Sequence, residues 1–244
     1  MFTPGCIITI GTADSTASPD AVADALYIIG ALDAQGNEWS KMGYARNNQT
    51  TSITKGIQLT DSHIVGLNES TGNVGYKGTG AIITDGFTVT WLSGLAPPAA
   101  LNFMSLCLEG PAQVGSWNKT MAAATTTDKI TTNPGSTNIT PVAVFTTNRC
   151  ATSSTSSSAG YRLTVGGSDG TNNGSVIATD QNGVATDVVY KSNNPYDSIL
   201  VANSDTQVYD AVASIGNFVS GSFTATWTTN NSVATQICYI AIGY

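Results

Sequence analysis

Charged side chains are scarce in this sequence: Asp, Glu, Lys and Arg together account for 10% of its 244 residues. The 9 basic residues are outnumbered by 16 acidic ones, which gives a net charge of -7 at pH 7. A protein that binds nucleic acid through its phosphates needs a basic patch, and this composition does not supply one. We therefore expect no nucleic acid among the partners of the chain.

Long apolar runs are absent as well. No stretch approaches the roughly 18 apolar residues of a membrane-spanning helix, so we expect no membrane insertion. The segment Met1–Asp20 lacks the basic start and long apolar region of a secretory signal, so we expect no export by the general route. The four cysteines show no CxxC spacing and lie in or beside apolar runs. We expect them to form no disulfide and to be mostly buried.

The residues needed for catalysis and metal binding are also sparse. The single histidine, His63, cannot build a zinc cluster or a facial triad by itself, and its neighbours in DSHIVGL provide no obvious nucleophile partnered with it. Carboxylates are present, but nothing selects two of them as a glycosidase pair. We therefore expect no enzyme activity and no cofactor. Calcium bound by the oxygen-rich turn Ser168–Gly174 is the alternative, although its spacing is not that of an EF-hand.

The sequence is instead rich in Ser, Thr, Asn and Gly, which separate short runs of alternating apolar and polar residues. This pattern is typical of antiparallel strands with hydroxyl-rich outer faces. Clusters such as NPGST and DQNG predict the turns between the strands. We expect an all-β protein made of antiparallel β-sandwiches, jelly-roll-like in topology, with an immunoglobulin-like sandwich as the alternative.

One phrase occurs twice in the chain. The segment Asp85–Trp91, DGFTVTW, returns as Gly221–Trp227, GSFTATW, with Phe, two Thr and Trp at the same spacing. Extending the match backwards without a gap pairs Asp61–Trp91 with Asp197–Trp227. The sequence therefore predicts two tandem β-sandwich domains, residues 1–112 and residues 113–244.

The second copy is the longer one. Its additional residues fall around positions 166–195, where Gly, Asn and Asp clusters predict an inserted hairpin or loop. An insertion of this kind is a place where partner contacts can differ between domains, and we expect it to contact a neighbour or to project from the surface. A tolerated loop without a role is the alternative.

Aromatic residues without a counterpart in the other copy are candidates for contact residues. Trp91 and Trp227 match each other and are expected in the two cores. The unmatched aromatics are offered as surface contacts, with core packing as the alternative. They are Trp39, Trp117, Tyr190 and Tyr196.

The order of these segments resembles a repeat found in structural proteins of tailed bacteriophages. DALYIIG, GYARNN, DGFTVTW and the closing FMSLCLEG follow the order of the PKAVLFFG, GIGFA, DGFTLNW and YLALGG segments of that repeat. The second copy departs from it, with SGSFTATW in place of the aspartate and glycine start and YIAIGY at its close. The resemblance covers most of the chain and implies a component of a virus particle, not a reaction.

The resemblance leads to a specific expectation of function. We expect a non-enzymatic structural protein on the surface of a bacteriophage virion, either a capsid decoration protein or a tail-associated subunit. Such a protein folds in the host cytoplasm before assembly, and its partners are other virion proteins and copies of itself. A carbohydrate-binding, lectin-like module that recognises a host surface glycan is the alternative, because sandwiches often hold sugar sites on their loops or sheets.

Overall fold

The computed structural model describes residues 2–12, 24–46, 51, 53–67, 73–97, 101–121, 126–132, 138–152, 158–184, 189–202 and 208–244. Within these residues the chain is all-β, as its composition predicts, and every strand pairing with a described register is antiparallel. The described part of the chain contains no helix long and apolar enough to cross a membrane.

The described residues form nineteen strands. They are β1 (Cys6–Thr12), β2 (Asp24–Asp33), β3 (Glu38–Arg46), β4 (Ile53–Leu59), β5 (Ile64–Leu67), β6 (Val74–Ile83), β7 (Gly86–Trp91), β8 (Asn102–Leu108), β9 (Ala112–Asn118), β10 (Thr127–Thr131), β11 (Pro141–Asn148), β12 (Ser158–Ala159), β13 (Tyr161–Ser168), β14 (Asn173–Asp180), β15 (Val189–Asn194), β16 (Ile199–Ala202), β17 (Tyr209–Val219), β18 (Ser222–Asn230) and β19 (Gln236–Gly243).

The strands belong to two compact units. Unit 1 comprises Met1–Glu109 together with two later segments, Ser153–Tyr161 and Asp180–Val189, and unit 2 comprises the rest of the chain from Gly110 onward. The division therefore passes between Glu109 and Gly110 but is not a single cut, because two pieces of the second half of the chain belong to unit 1.

Unit 1 consists of two antiparallel sheets whose inner faces share one apolar core. The larger sheet has the order β12-β4-β3-β2-β1-β8, and the smaller one has the order β5-β6-β7. Alternation along each strand points every second side chain inward, where burial of apolar area stabilises the fold. The buried core residues are Ile28, Met42, Tyr44, Ile57, Leu59, Ile64, Val65, Leu67 and Tyr76.

Unit 2 has the same general build, with a sheet of order β15-β14-β13-β11-β19-β9 and a second of order β10-β18-β17-β16. Trp227 is fully buried in its core, as the sequence predicts, and the rings of Phe223 and Tyr239 make an edge-to-face contact at 5.2 Å. Trp91, the residue matched to Trp227 in sequence, is partly buried against the core of unit 1 and lies edge-to-face with Tyr76 at 6.2 Å.

The outer strands of the large sheets are arranged differently in the two units. In unit 1, β1 lies between β2 and β8, so the last strand of the unit is at the edge. In unit 2, β19 lies between β11 and β9, so the last strand is internal and the first is at the edge. The internal position of β19 agrees with its almost continuous apolar run, ICYIAI, which is buried on both faces.

The other edge of the large sheet in unit 1 is covered by residues from the second half of the chain. Strand β12 pairs with β4, matching Ser158 with Gly56 and Ala159 with Lys55. Thr54 adds two contacts, since its amide donates to Asn182 Oδ1 at 2.9 Å and its hydroxyl donates to the backbone oxygen of Asp180 at 3.3 Å. The predicted insertion around 166–195 therefore has two structural roles. It supplies β14 and β15 to the large sheet of unit 2, and it supplies residues that pack on β4 of unit 1.

The repeated phrase DGFTVTW and GSFTATW begins at a turn in both places. Asp85 between β6 and β7 has φ 64°, and Gly221 between β17 and β18 has φ 75°, so both residues occupy the left-handed region. Each residue is the second of a two-residue turn, and glycine and aspartate tolerate the left-handed conformation there better than most residues. The sequence echo therefore preserves a turn as well as a strand.

This turn generates a stability prediction. Gly221→Ala should lower the free energy of unfolding by at least about 1 kcal/mol, because alanine is strained at positive φ. A Cβ atom there would also lie 3.0 Å from Asn138 Oδ1. Urea unfolding followed by tryptophan fluorescence measures the change. Asp85→Gly is the matched control and should cost less, because glycine adopts the same φ without strain; an equal loss in both variants would contradict the prediction.

Candidate functional site

Strand β8 ends the large sheet of unit 1, and its free side is the most distinctive surface of that unit. It pairs with β1 along its whole length, with Ile7 opposite Cys107 and Ile10 opposite Met104. Among the residues described, no strand lies on its other side. An end strand of this kind presents one row of backbone N–H and C=O groups that a further strand can pair with.

The side chains that surround this edge are apolar. Met104 and Leu106 point to the outer face of the sheet and are 70% and 56% exposed, and the neighbouring Ile10 on β1 is 46% exposed. The strand sequence NFMSLCL contains no charged residue and no proline. Proteins usually protect open edges with lysine, proline or a bulge, so an edge without any of these is suited to pairing.

Ser105, on the inner face of β8, belongs to a row of hydrogen-bonded polar side chains in the interior of unit 1. Ser105 Oγ lies 3.1 Å from Thr9 Oγ1, and Thr9 Oγ1 lies 2.8 Å from His63 Nε2. These contacts satisfy polar groups that burial would otherwise destabilise. Local sequence patterns do not predict these contacts, because the three residues come from separate strands and loops.

His63 itself is fully buried, and the position matched to it in the second copy, Ile199, is buried as well. Burial lowers the pKa of His63 to about 4, because the charged ring loses its hydration, and the backbone of Ala31 opposes this shift in part. The ring packs edge-to-face on Phe87 at 5.8 Å. His63 is therefore a neutral packing residue at ordinary pH, and its hydrogen-bond partner is a threonine.

The four aromatic contact candidates fall in different environments. Trp39 is buried, at 3% exposure, and Trp117 is partly buried with its ring edge-to-face on Phe223 at 5.9 Å. Tyr196, after the end of β15, is 80% exposed. Tyr190 belongs to β15, but its side chain lies outside the described residues. The described candidates therefore differ in burial: Trp39 and Trp117 pack within their own units, and Tyr196 is exposed.

The oxygen-rich turn Ser168–Gly174 is held by its own hydrogen bonds. Asp169 accepts from the amides of Thr171 at 2.9 Å and Asn172 at 2.7 Å, and its second oxygen accepts from Asn172 Nδ2 at 2.8 Å. These donors hold the pKa of Asp169 at about 2. The carboxylate thus has a role in the β13–β14 turn. No group of three His, Cys, Asp or Glu side chains with metal-site spacing occurs in the described ranges.

Two carboxylates of unit 1 that a glycosidase pair could have used have separate partners. Asp61 forms an ion pair with Lys77, with Nζ and Oδ2 2.6 Å apart, and Asp85 Oδ1 accepts from the amide of Phe2 at 2.9 Å. Glu69 and Asp187 lie outside the described residues.

The four cysteines form no disulfide. Three of them are buried and Cys107 is exposed, which confirms the expectation of free and mostly buried cysteines.

Unit 2 contains a second buried polar cluster, centred on Trp227. Its indole Nε1 donates to Asp128 Oδ2 at 2.8 Å, and Lys119 Nζ lies 5.6 Å from the centre of the same ring. Lys119 also donates to the backbone oxygen of Asn231 at 2.6 Å. Burial lowers the pKa of Lys119, while Asp128 and Asp210 oppose that shift. These contacts connect the ends of several strands, so the cluster has a structural role in unit 2.

The buried histidine generates a pH prediction. Its folded pKa of about 4 is below the ordinary 6.5, so the unfolded chain binds the proton more tightly in this window. Stability is fully present above pH 6.5 and falls as the pH drops towards 4, by on the order of 3 kcal/mol. Chemical unfolding across this range measures the loss.

His63→Ile is the matched variant, since the corresponding residue of the second copy is Ile199. A swap of similar volume should change the unfolding free energy by less than about 1.5 kcal/mol above pH 6.5. It should also remove this part of the acid sensitivity. Equal acid dependence in the two proteins would show that His63 does not titrate as described.

Comparisons with known proteins do not assign this chain to a family. No protein-family model matches it, and no curated protein or solved structure is significantly similar to it. The function proposed for the chain is therefore argued from its residues and from the geometry of its strands.

Proposed function

We propose that this chain is a non-enzymatic structural protein on the surface of a bacteriophage particle, as a capsid decoration protein or a tail-associated subunit. The observation that carries the proposal is the edge strand β8, which is uncharged along its length and exposes Met104 and Leu106. Structural subunits that assemble in many copies need such surfaces, because symmetry multiplies a weak contact.

The repeated architecture supports the same proposal. In this interpretation the chain is a tandem duplication of a jelly-roll-like sandwich. The first and last strands of each unit pair with each other, as β1–β8 and β9–β19, and β10 pairs with β18 in unit 2. Such pairing of the start and end of a ribbon is typical of a jelly roll. The matched turns at Asp85 and Gly221 support the duplication.

A carbohydrate-binding module for a host surface glycan is the second candidate function. One observation favours it: the ring of Tyr196 is 80% exposed next to a turn stabilised by Asn194 Oδ1, which accepts from the Tyr196 amide at 2.8 Å. An exposed aromatic ring on a fixed turn is a suitable stacking surface for a sugar.

Two measurements separate these functions. Mass spectrometry of gradient-purified virus particles from a culture that produces the protein should find the chain in the particles. Its absence from intact particles would overturn the structural role. Binding of the purified chain to a glycan array tests the alternative.

The glycan alternative has a matched pair of variants. If it is right, Tyr196→Ala should abolish binding to the array, while Tyr244→Ala should keep it, because Tyr244 is an equally exposed tyrosine at 77%. Under the structural proposal, the wild-type chain gives no saturable glycan signal, and both variants enter particles at the level of the wild-type chain. Saturable binding that is lost only in Tyr196→Ala would favour the glycan-binding function.

A further inference from the structure

The strands of these sheets differ in how many hydrogen-bonded neighbours they have. Strand β12 covers β4, and strand β10 covers β18. Strand β19, which corresponds in sequence to β8, has neighbours on both sides, β11 and β9. Within the described residues β8 has only β1 as a partner. Strands β5, β7, β9, β10, β12, β15 and β16 also end their sheets, but among the side chains described on them no large apolar one is exposed as Met104 and Leu106 are on β8.

Strand β7 is another end strand of unit 1, and it is less suited to a partner. Its most exposed side chains are Thr88 and Thr90, whose hydroxyl groups are well solvated. On β8 the corresponding outward positions are Met104 and Leu106. Covering β8 therefore removes more apolar area from water than covering β7 does.

The chemistry of β8 defines what can cover it. A row of alternating N–H and C=O groups is satisfied by an extended strand. The absence of charge on NFMSLCL excludes pairing by charge complementarity and favours an uncharged, apolar strand. In a chain of net charge -7, two copies of this uncharged segment can approach without local repulsion between like charges.

Strand β8 is also complementary to itself. Its middle residue is Ser105, so a two-fold axis through this residue and perpendicular to the sheet pairs all 7 residues of the strand. Met104 then faces Leu106 of the second copy on the outer side of the sheet, and Phe103 faces Cys107 on the inner side. Opposite residues share a face in this register, and these two kinds of pair are apolar, while Ser105 faces its own copy and Asn102 faces Leu108.

We propose that two copies of this chain associate through antiparallel pairing of their β8 strands, centred on Ser105. The two large sheets of unit 1 then continue into each other across the two-fold axis. The proposal deepens the structural role given above, because it names the partner and the surface, but the dimer itself is a property of the isolated chain. One strand pair buries little area, so the association is weak and depends on protein concentration.

Sedimentation equilibrium of the purified full-length chain over a range of concentrations tests the association. The wild-type chain should show a reversible monomer–dimer equilibrium. Leu106→Lys should raise the dissociation constant at least about tenfold, because it places a charge against Met104 of the other copy at two symmetric positions. A monomer at every concentration would overturn the proposal.

The matched control is Val176→Lys on β14. Val176 is 53% exposed, similar to Leu106, but its strand already lies between β15 and β13. This variant should dimerise as the wild-type chain does. Equal weakening by both substitutions would show that the contact is not at β8. Far-UV circular dichroism of each variant checks that the fold is retained.

Disulfide trapping tests the register. In a Cys107→Ser background the remaining native cysteines are buried. Met104→Cys and Leu106→Cys chains are mixed and oxidised, and a disulfide between the two different chains should predominate, because these positions face each other. Two Met104→Cys chains would hold their Cα atoms beyond the roughly 7 Å limit for a disulfide. Predominant disulfides between identical chains would overturn the register centred on Ser105.

The outcomes also separate this inference from the proposed function. A dimer that Leu106→Lys weakens, in a chain that is absent from virus particles, supports the β8 contact and removes the virion role. A chain that is present in particles but monomeric in solution at every concentration, with unchanged incorporation of Leu106→Lys, removes the β8 contact and leaves the virion role in place.

Discussion

Backbone hydrogen bonding between neighbouring strands is the constraint on which both units depend. Each strand offers a row of donors and acceptors on both of its sides, and burial without a partner is costly. The chain meets this demand with distant segments: β12 is drawn onto β4, and the first strands of each unit pair with the last. Among the described strands β8 is one of those with a single neighbour, and its exposed Met104 and Leu106 are the reason for the proposed self-association.

The interior beneath β8 shows how a polar group is kept in an apolar sandwich. His63 is neutral because burial lowers its pKa, and its link through Thr9 to Ser105 supplies a hydrogen-bond partner. The same hydrogen bonds connect the inner face of β8 to the centre of unit 1. A contact made by β8 therefore rests on a fixed strand, which reduces the entropy lost on association.

The sequence predicts β8 as a closing strand but does not predict that it lies at the edge of its sheet. NFMSLCL reads as a closing apolar strand, and so does its counterpart QICYIAIG, yet one is at an edge and the other is internal. Alternation of side chains sets which face a residue occupies and says nothing about which strand is its neighbour. Trp39 was offered as a contact residue because it lacks a counterpart, and that argument carries no information on burial.

The sequence by itself determined the all-β class, the turn at DQNG and the burial of Trp227, because these follow from local backbone preference and from alternation. Tertiary structure decided the order of strands in each sheet, the place of residues 153–161 and 180–189 in unit 1, and the contact between His63 and Thr9. These features join residues far apart in the chain. They depend on which pairings together cover the most backbone and apolar surface, and a local pattern does not encode that choice.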